Sequence, residues 1–417
     1  MGNWKLNLGV LWIGNFLVMS GMTMIMPFLP LYIQEMGITD PHRVAFWSGI
    51  IFAGNFVTSF IFQPLWGKVA DRHGRKMMLL RSGFGMGIVM TLMGFAGSVW
   101  HLLLLRILNG TISGYVPAAV SLVSATTPRE KMGVAMGTLQ SGTVAGSILG
   151  PMIGGLLANL VGFRAIFYIT GSLLFAASLL TLIVVKETFD VKKAAARPNY
   201  SVIAGFKELG KIPQLSSLFT VTFLIQFAML STMPVMTLFV QELYGNGPLL
   251  AFYSGLIGSI TGLSNMVSAP LLGKAGDKIG QERILQISLI GSALLFIPQA
   301  FVQNIWQLFA VRFALGIFMG GLQPTVNALI RKFTPDGMES RAYSFNTSFL
   351  ALGNLTGPTI GGSLSGLLTI RGLFLTAAAL LFANSIWARR SLITGTKNVP
   401  SAQKGDGAES DMLRKKG

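Results

Sequence analysis

Twelve stretches of this 417-residue chain are predominantly apolar over about 20 residues, and that count constrains the fold more than any other feature. About 20 such residues let a helix cross the hydrocarbon core of a bilayer. The stretches lie near 7–34, 44–66, 77–97, 100–123, 134–160, 164–186, 214–241, 250–272, 284–302, 305–330, 341–368 and 371–390. They predict an all-α membrane protein with twelve transmembrane helices. Composition agrees, because only 11% of residues are charged against roughly a quarter in soluble domains. The first stretch follows Lys5 with no small-residue cleavage site, so it reads as a retained span rather than a signal peptide.

The net charge of +17 would suit a nucleic-acid binder, but a basic patch needs a soluble scaffold to carry it. Lys and Arg instead sort by loop. If the N-terminus and every second loop share one side, that side holds 27 of the 32. Arg43, Arg164 and Arg371 fall opposite, and Arg106 and Arg312 lie inside apolar runs. The asymmetry places both termini in the cytoplasm, in a multi-pass protein of the cell's inner or plasma membrane. No cysteine exists, and His42, His73 and His101 are far apart, so neither a metal centre nor a thiol nucleophile is expected.

The second half repeats the first at an offset of 206 or 207 residues. Met26-Pro27 matches Met233-Pro234, Gln34-Glu35 matches Gln241-Glu242, and Ala45 to Gly49 matches Ala251 to Gly255. Arg106 matches Arg312, and Gly150-Pro151 matches Gly357-Pro358. Six spans per half keep both copies in one orientation. The domains expected are 1–186, a cytoplasmic linker over 187–213, 214–390, and a disordered tail over 391–417. Ile203, Phe206 and Ile212 could place an amphipathic helix within the linker, and a flexible connection serves equally well. Two parallel six-helix repeats resemble the architecture of the major facilitator transporters, which hold substrate between the halves.

Four motifs sharpen that resemblance. The loop after span 2 runs Gly67-Lys-Val-Ala-Asp71-Arg72-His-Gly74-Arg75-Lys76 and resembles the superfamily's most diagnostic string. Gly74 permits a tight turn, Asp71 can cap a helix or pair with Arg, and the basic residues hold the loop at the membrane face. The resemblance implies a gating latch. Arg106, followed by Asn109-Gly110, resembles the span-4 motif whose arginine is linked to proton coupling; Asn109 stands where the family usually has Gln. Gly146, Gly150-Pro151 and Gly154-Gly155 resemble the antiporter motif of drug–proton exporters. Met26-Pro27-Phe28-Leu29-Pro30 resembles the span-1 motif of the twelve-span drug:proton antiporters. The fold implied is the major facilitator fold.

No acidic residue sits at the centre of a span. Glu35, Glu242 and Asp71 are therefore the candidates for proton binding, together with Arg106 as a coupling residue. Met19, Met22 and Met26 share one helix face and suit varied apolar ligands. Polar cavity candidates, chosen by position along the spans, are Asn15, Tyr115, Gln140, Gln226, Asn265, Gln323, Asn327 and Asn346. With arginine as the only deep charge, neutral, zwitterionic or anionic apolar substrates are favoured over cations. No GxxxxGK[ST] string is present, so a proton gradient rather than ATP or any cofactor is the expected drive. The expected activity is proton-coupled export of small amphipathic compounds by a monomer without enzymatic chemistry. An exporter of one metabolite, such as a siderophore or a sugar, fits the same motifs.

Overall fold

The computed structural model describes residues 4–128, 131–187, 209–335 and 339–395. Among these the chain is helical, and sixteen helices make twelve traverses. In the first half these are α1 (Trp4–Met24), α2 (Leu29–Glu35), α3 (Pro41–His73), α4 (Arg75–Gly94), α5 (Val99–Ile112), α6 (Tyr115–Thr126), α7 (Met132–Val161) and α8 (Phe163–Val184). The second half holds α9 (Pro213–Ser231), α10 (Met233–Tyr244), α11 (Leu250–Ile279), α12 (Gln281–Gln299), α13 (Ile305–Met319), α14 (Leu322–Phe333), α15 (Glu339–Leu364) and α16 (Ile370–Gly395).

Four traverses are broken in the middle, and the breaks come in repeat-equivalent pairs. Pro27 separates α1 from α2, and Pro234 stands in the first turn of α10 after α9 ends. Proline lacks the N–H that an unbroken helix needs there. Gly114, at φ +132°, separates α5 from α6, and the Gly320-Gly321 step separates α13 from α14. Pro117 and Pro324 follow these two breaks at an offset of 207. Ten traverses are long and apolar enough to cross a membrane on composition alone. The other two, α12 and α15, are more polar but hold the positions equivalent to α4 and α7.

Packing follows the repeat. In the first half α1 lies on α7, α3 on α5 and α4 on α8; in the second, α9 lies on α15, α11 on α13 and α12 on α16. The halves meet along two seams, α7 against α11 and α3 against α15. Most of the helices show little contrast between their faces, so small residues rather than hydrophobicity select the contacting faces; α14 is the exception, with Leu322, Val326, Leu329 and Ile330 buried and Asn327, Arg331 and Lys332 exposed. Trp47 stacks edge-on against Trp100 at 4.7 Å between ring centres, and the equivalent Tyr253–Trp306 pair lies at 6.4 Å. Trp100 and Trp306 are largely exposed, as rings at a membrane interface are.

Helix α16 continues to Gly395, so the first five residues of the expected tail are helical, with Leu392 buried. Ala388 and Leu392 turn inward there, while Trp387, Arg389 and Arg390 are exposed. The linker residues Ile203 and Phe206 lie outside the described residues; Ile212 packs on the core just ahead of α9.

Candidate functional site

A cavity of about 380 Å³ lies between the halves. The first half contributes Thr23, Met26 and Pro27 from the α1–α2 break and Ser147 and Pro151 from α7. The second half contributes Met229, Met233, Met236 and Thr237 around the α9–α10 break, Ser254 and Thr261 from α11, and Arg312 and Met319 from α13. The α1–α2 and α9–α10 breaks thus both open onto it. Five methionines give it a soft, polarisable wall that can repack around different apolar shapes. Among the described residues Arg312 is its one charged side chain.

The end of the bundle opposite the chain termini, the distal end, is closed above this cavity. Gln34 Nε2 donates to Gln241 Oε1 at 3.0 Å, and Gln241 Nε2 returns a bond to Gln34 Oε1 at 3.2 Å. Thr237 Oγ1 donates to the Pro27 carbonyl at 2.8 Å, satisfying a group freed by the helix break. His42 Nδ1 bonds the Ser365 carbonyl at 2.9 Å.

The glycine string of α7 performs two tasks. A Cβ on Gly146, Gly150 or Gly154 would strike α1, at Phe16, Thr23 and Met24 respectively. Gly155 turns instead toward the other half, where a Cβ would strike the Ala251 carbonyl of α11. Reciprocally, a Cβ on Gly255 would strike the Pro151 carbonyl and fall 3.3 Å from the Gly155 Cα. The second seam repeats this pattern, with Gly49 against Pro358 and Gly362 against Ala45. The repeated Ala45–Gly49 and Ala251–Gly255 segments are therefore the seats onto which the two Gly-Pro strings dock.

At the basal end, Gly74 turns the chain at φ +93°, and its counterpart Gly280 does so at φ +100°. The side chains of Asp71 and Arg72, and any contact of Gly67, lie outside the described residues. The cap on α4 comes from Glu187. Its carboxylate accepts the Arg75 N–H at 3.0 Å and the Lys76 N–H at 2.7 Å. Arg75 Nε bonds Ser121 Oγ at 2.8 Å, and Lys76 Nζ bonds the Leu182 carbonyl at 2.8 Å. The loop is thus tied to the end of α8 and to α6. An acid 112 positions away has no local signature, so the sequence offered no clue to Glu187.

The two deep arginines differ. Arg106 is only 4% exposed, on α5 beside the Asn109–Asn55 hydrogen bond of 2.8 Å, and its Nη2 has no partner among the described residues. Arg312 faces the cavity. Of the titratable candidates, Glu35 is exposed at the end of α2. Glu242 is engaged by Arg371 at 2.9 Å in a half-exposed ion pair.

The positional cavity candidates separate widely. Met26 lines the cavity. Met19 lies against Gly146, and Met22 packs on the core. Tyr115 is a correction: it is 1% exposed, fills the hollows left by Gly14 and Gly83, and its hydroxyl meets Thr181 Oγ1 at 3.1 Å. Asn15 bonds Thr143 on the α1–α7 seam, and Asn346 accepts from Thr222 on the equivalent α9–α15 seam. Gln226 abuts Gly353, and Asn265 lies against Gly320. Gln140 and Asn327 are exposed, Gln323 half-buried, and none of the three lines this cavity. Met229 and Met233, which do line it, repeat Met22 and Met26 at an offset of 207. Mapping the methionine face onto the second half would have found them.

The family model of the Major Facilitator Superfamily matches residues 11–266 and 218–414. The multidrug resistance proteins MdtG of Salmonella schwarzengrund and Salmonella arizonae are each 45% identical over 392 residues, 94% of this chain and 96% of theirs. Among solved structures, an inward-facing, occupied bacterial homologue of the human lysosomal transporter Spinster has a TM-score of 0.78 at 15% identity, covering 95% of this chain and 98% of that one. The nucleoside transporter NupG has a TM-score of 0.77 at 14% identity, covering 94% and 99%. With the repeat and the two seams, these matches settle the classification: the chain belongs to the major facilitator superfamily and is a membrane transporter rather than an enzyme.

Proposed function

We propose that this protein exports small amphipathic compounds by alternating access, driven by proton influx, as a monomer in the cell's inner or plasma membrane with both termini cytoplasmic. The observation that carries the reading is the methionine-walled cavity between the halves, reached by two broken helices and set beside the Gly-Pro seams. The similarity to multidrug resistance proteins along nearly the whole chain supports the same reading. In the cycle, compounds enter from the basal side, the halves rock about the cavity, and the distal bonds open to release them. Asp71 belongs to the latch and Arg106 to coupling. Glu35, Glu242 and Asp71 are the carboxylates available for proton exchange, since the cavity lining holds none among the described residues.

Uptake into inside-out vesicles under an imposed pH gradient tests this. The panel holds a lipophilic cation, a fluoroquinolone, chloramphenicol and a catecholate siderophore. Accumulation of several, abolished by a protonophore, is expected. The lone cationic side chain of the cavity also suits a single-metabolite exporter, and uptake of the siderophore alone would select that reading. Absence of gradient-driven uptake of every compound would sink both.

A further inference from the structure

We infer that Arg312 is the head-group receptor of the central cavity, and that the compounds carried are apolar molecules bearing one anionic group, a carboxylate, sulfonate or phosphate. The inference rests on the exporter reading for its transport consequences, but its binding consequences stand apart from it.

Arg312 Nε is buried without a hydrogen-bond partner among the described residues. Two hydroxyls of the same cavity, Ser254 Oγ and Thr261 Oγ1, are buried and unpartnered as well. All three belong to α11 and α13, which pack on each other, so the unmet donors gather on one wall. Elsewhere in the lining the hydroxyls of Thr23, Ser147, Thr232 and Thr237 already donate to main-chain carbonyls, among the methionines of α1, the α9–α10 break and α13. The unmet donors are thus confined to α11 and α13 within a methionine-rich lining, which is the complement of an amphipath.

Charge then selects the head group. A guanidinium removed from water is costly without an anion beside it, and no carboxylate lines this cavity among the described residues. An anionic ligand offsets that cost and accepts from a planar fork suited to carboxylates and phosphates. A neutral ligand leaves the charge uncompensated, and a cation adds like-charge repulsion.

The repeat limits the site to one head group. In the first half, the positions equivalent to Thr261 and Leu315 hold Asn55 and Asn109, which bond each other in a buried pair. Arg106 is sealed beside them, while Arg312 borders open volume. Duplication supplied two arginines, and only one of them faces a ligand.

Three matched probes test the inference: 2-naphthoate, 2-naphthamide and 2-naphthyltrimethylammonium. Equilibrium binding to the purified protein is measured by calorimetry, and uptake by proteoliposomes under a pH gradient. Wild type is expected to bind naphthoate about tenfold more tightly than either analogue, the gain of a charge-assisted hydrogen bond. Arg312→Gln should erase that preference and Arg312→Lys keep part of it. Should Arg312→Gln not fold, Ser254→Ala and Thr261→Val serve instead, each weakening naphthoate several-fold relative to naphthamide. Equal binding of the three probes, no binding of any, preference for the ammonium, or an unchanged preference in the variants would overturn the inference. Selective binding without gradient-driven uptake would leave the receptor standing and count against the exporter reading.

Discussion

Gln34 and Gln241 occupy the same position in the two repeats and exchange hydrogen bonds with each other, at 3.0 and 3.2 Å. A reciprocal bond between equivalent residues lies on the pseudo-twofold that relates the halves. The distal closure is therefore sealed at its symmetry centre, where opening must separate both partners equally.

Gln34→Ala should release this closure. Loss of two hydrogen bonds near 1 kcal/mol each shifts a two-state equilibrium by roughly tenfold or more toward the distally open form. The native chain has no cysteine, so a single Met236→Cys reporter labels cleanly. Its reaction with a membrane-impermeant maleimide from the distal side should quicken about tenfold in the Gln34→Ala background. An unchanged rate would place the closure elsewhere.

Gly155→Ala puts a methyl group against the Ala251 carbonyl, a backbone atom that cannot swing aside. Overpacking of this kind costs about 1–3 kcal/mol, and transport should fall with it. Gly137→Ala, on the same helix with nothing within 4 Å, is the control. It should be neutral or stabilising by up to about 1 kcal/mol. Thermal unfolding in detergent reads both, and equal behaviour would refute the seam.

Glu187→Ala should free the first turn of α4. Two hydrogen bonds to a buried carboxylate are lost, and a helix cap is worth about 0.5–2 kcal/mol. Amide exchange at Arg75 and Lys76 should accelerate by about tenfold, with the distal half of α4 unaffected. If protection there persists, another group caps the helix.

Arg106→Met separates coupling from bracing. A sealed guanidinium with an unpaired nitrogen carries a desolvation cost that an apolar side chain of similar length removes. The variant should melt higher than wild type while proton-driven uptake falls at least tenfold, on the scale of a functional intramembrane charge. A lower melting temperature with intact uptake would make Arg106 a brace.

The traverses and the duplication were legible in the sequence because hydropathy and repetition are properties of single segments. The cavity was legible only in part. Helical spacing singled out Met19, Met22 and Met26 together, and of the three only Met26 lines the cavity; Tyr115 is buried in packing, because position along a span says nothing of direction around it. In a soluble helix the polar face supplies that direction; α6, which carries Tyr115, has no charged side chain to do so. Arg106 and Arg312 look alike in sequence, and neighbours as distant as Asn55 and Thr261 decide which one is sealed. The same distance hid the part played by Glu187.

The glycine seams have a mechanical consequence. At Gly155 against Gly255 and at Gly49 against Gly362, main chain lies on main chain. Two cylinders touching in this way at symmetry-related points can roll on each other there once the distal bonds of Gln34, Gln241 and Thr237 have opened, and the contacts persist while the angle between them changes. The line through the two seams is then an axle fitted with plain bearings, and the strings of glycine are its polished surface.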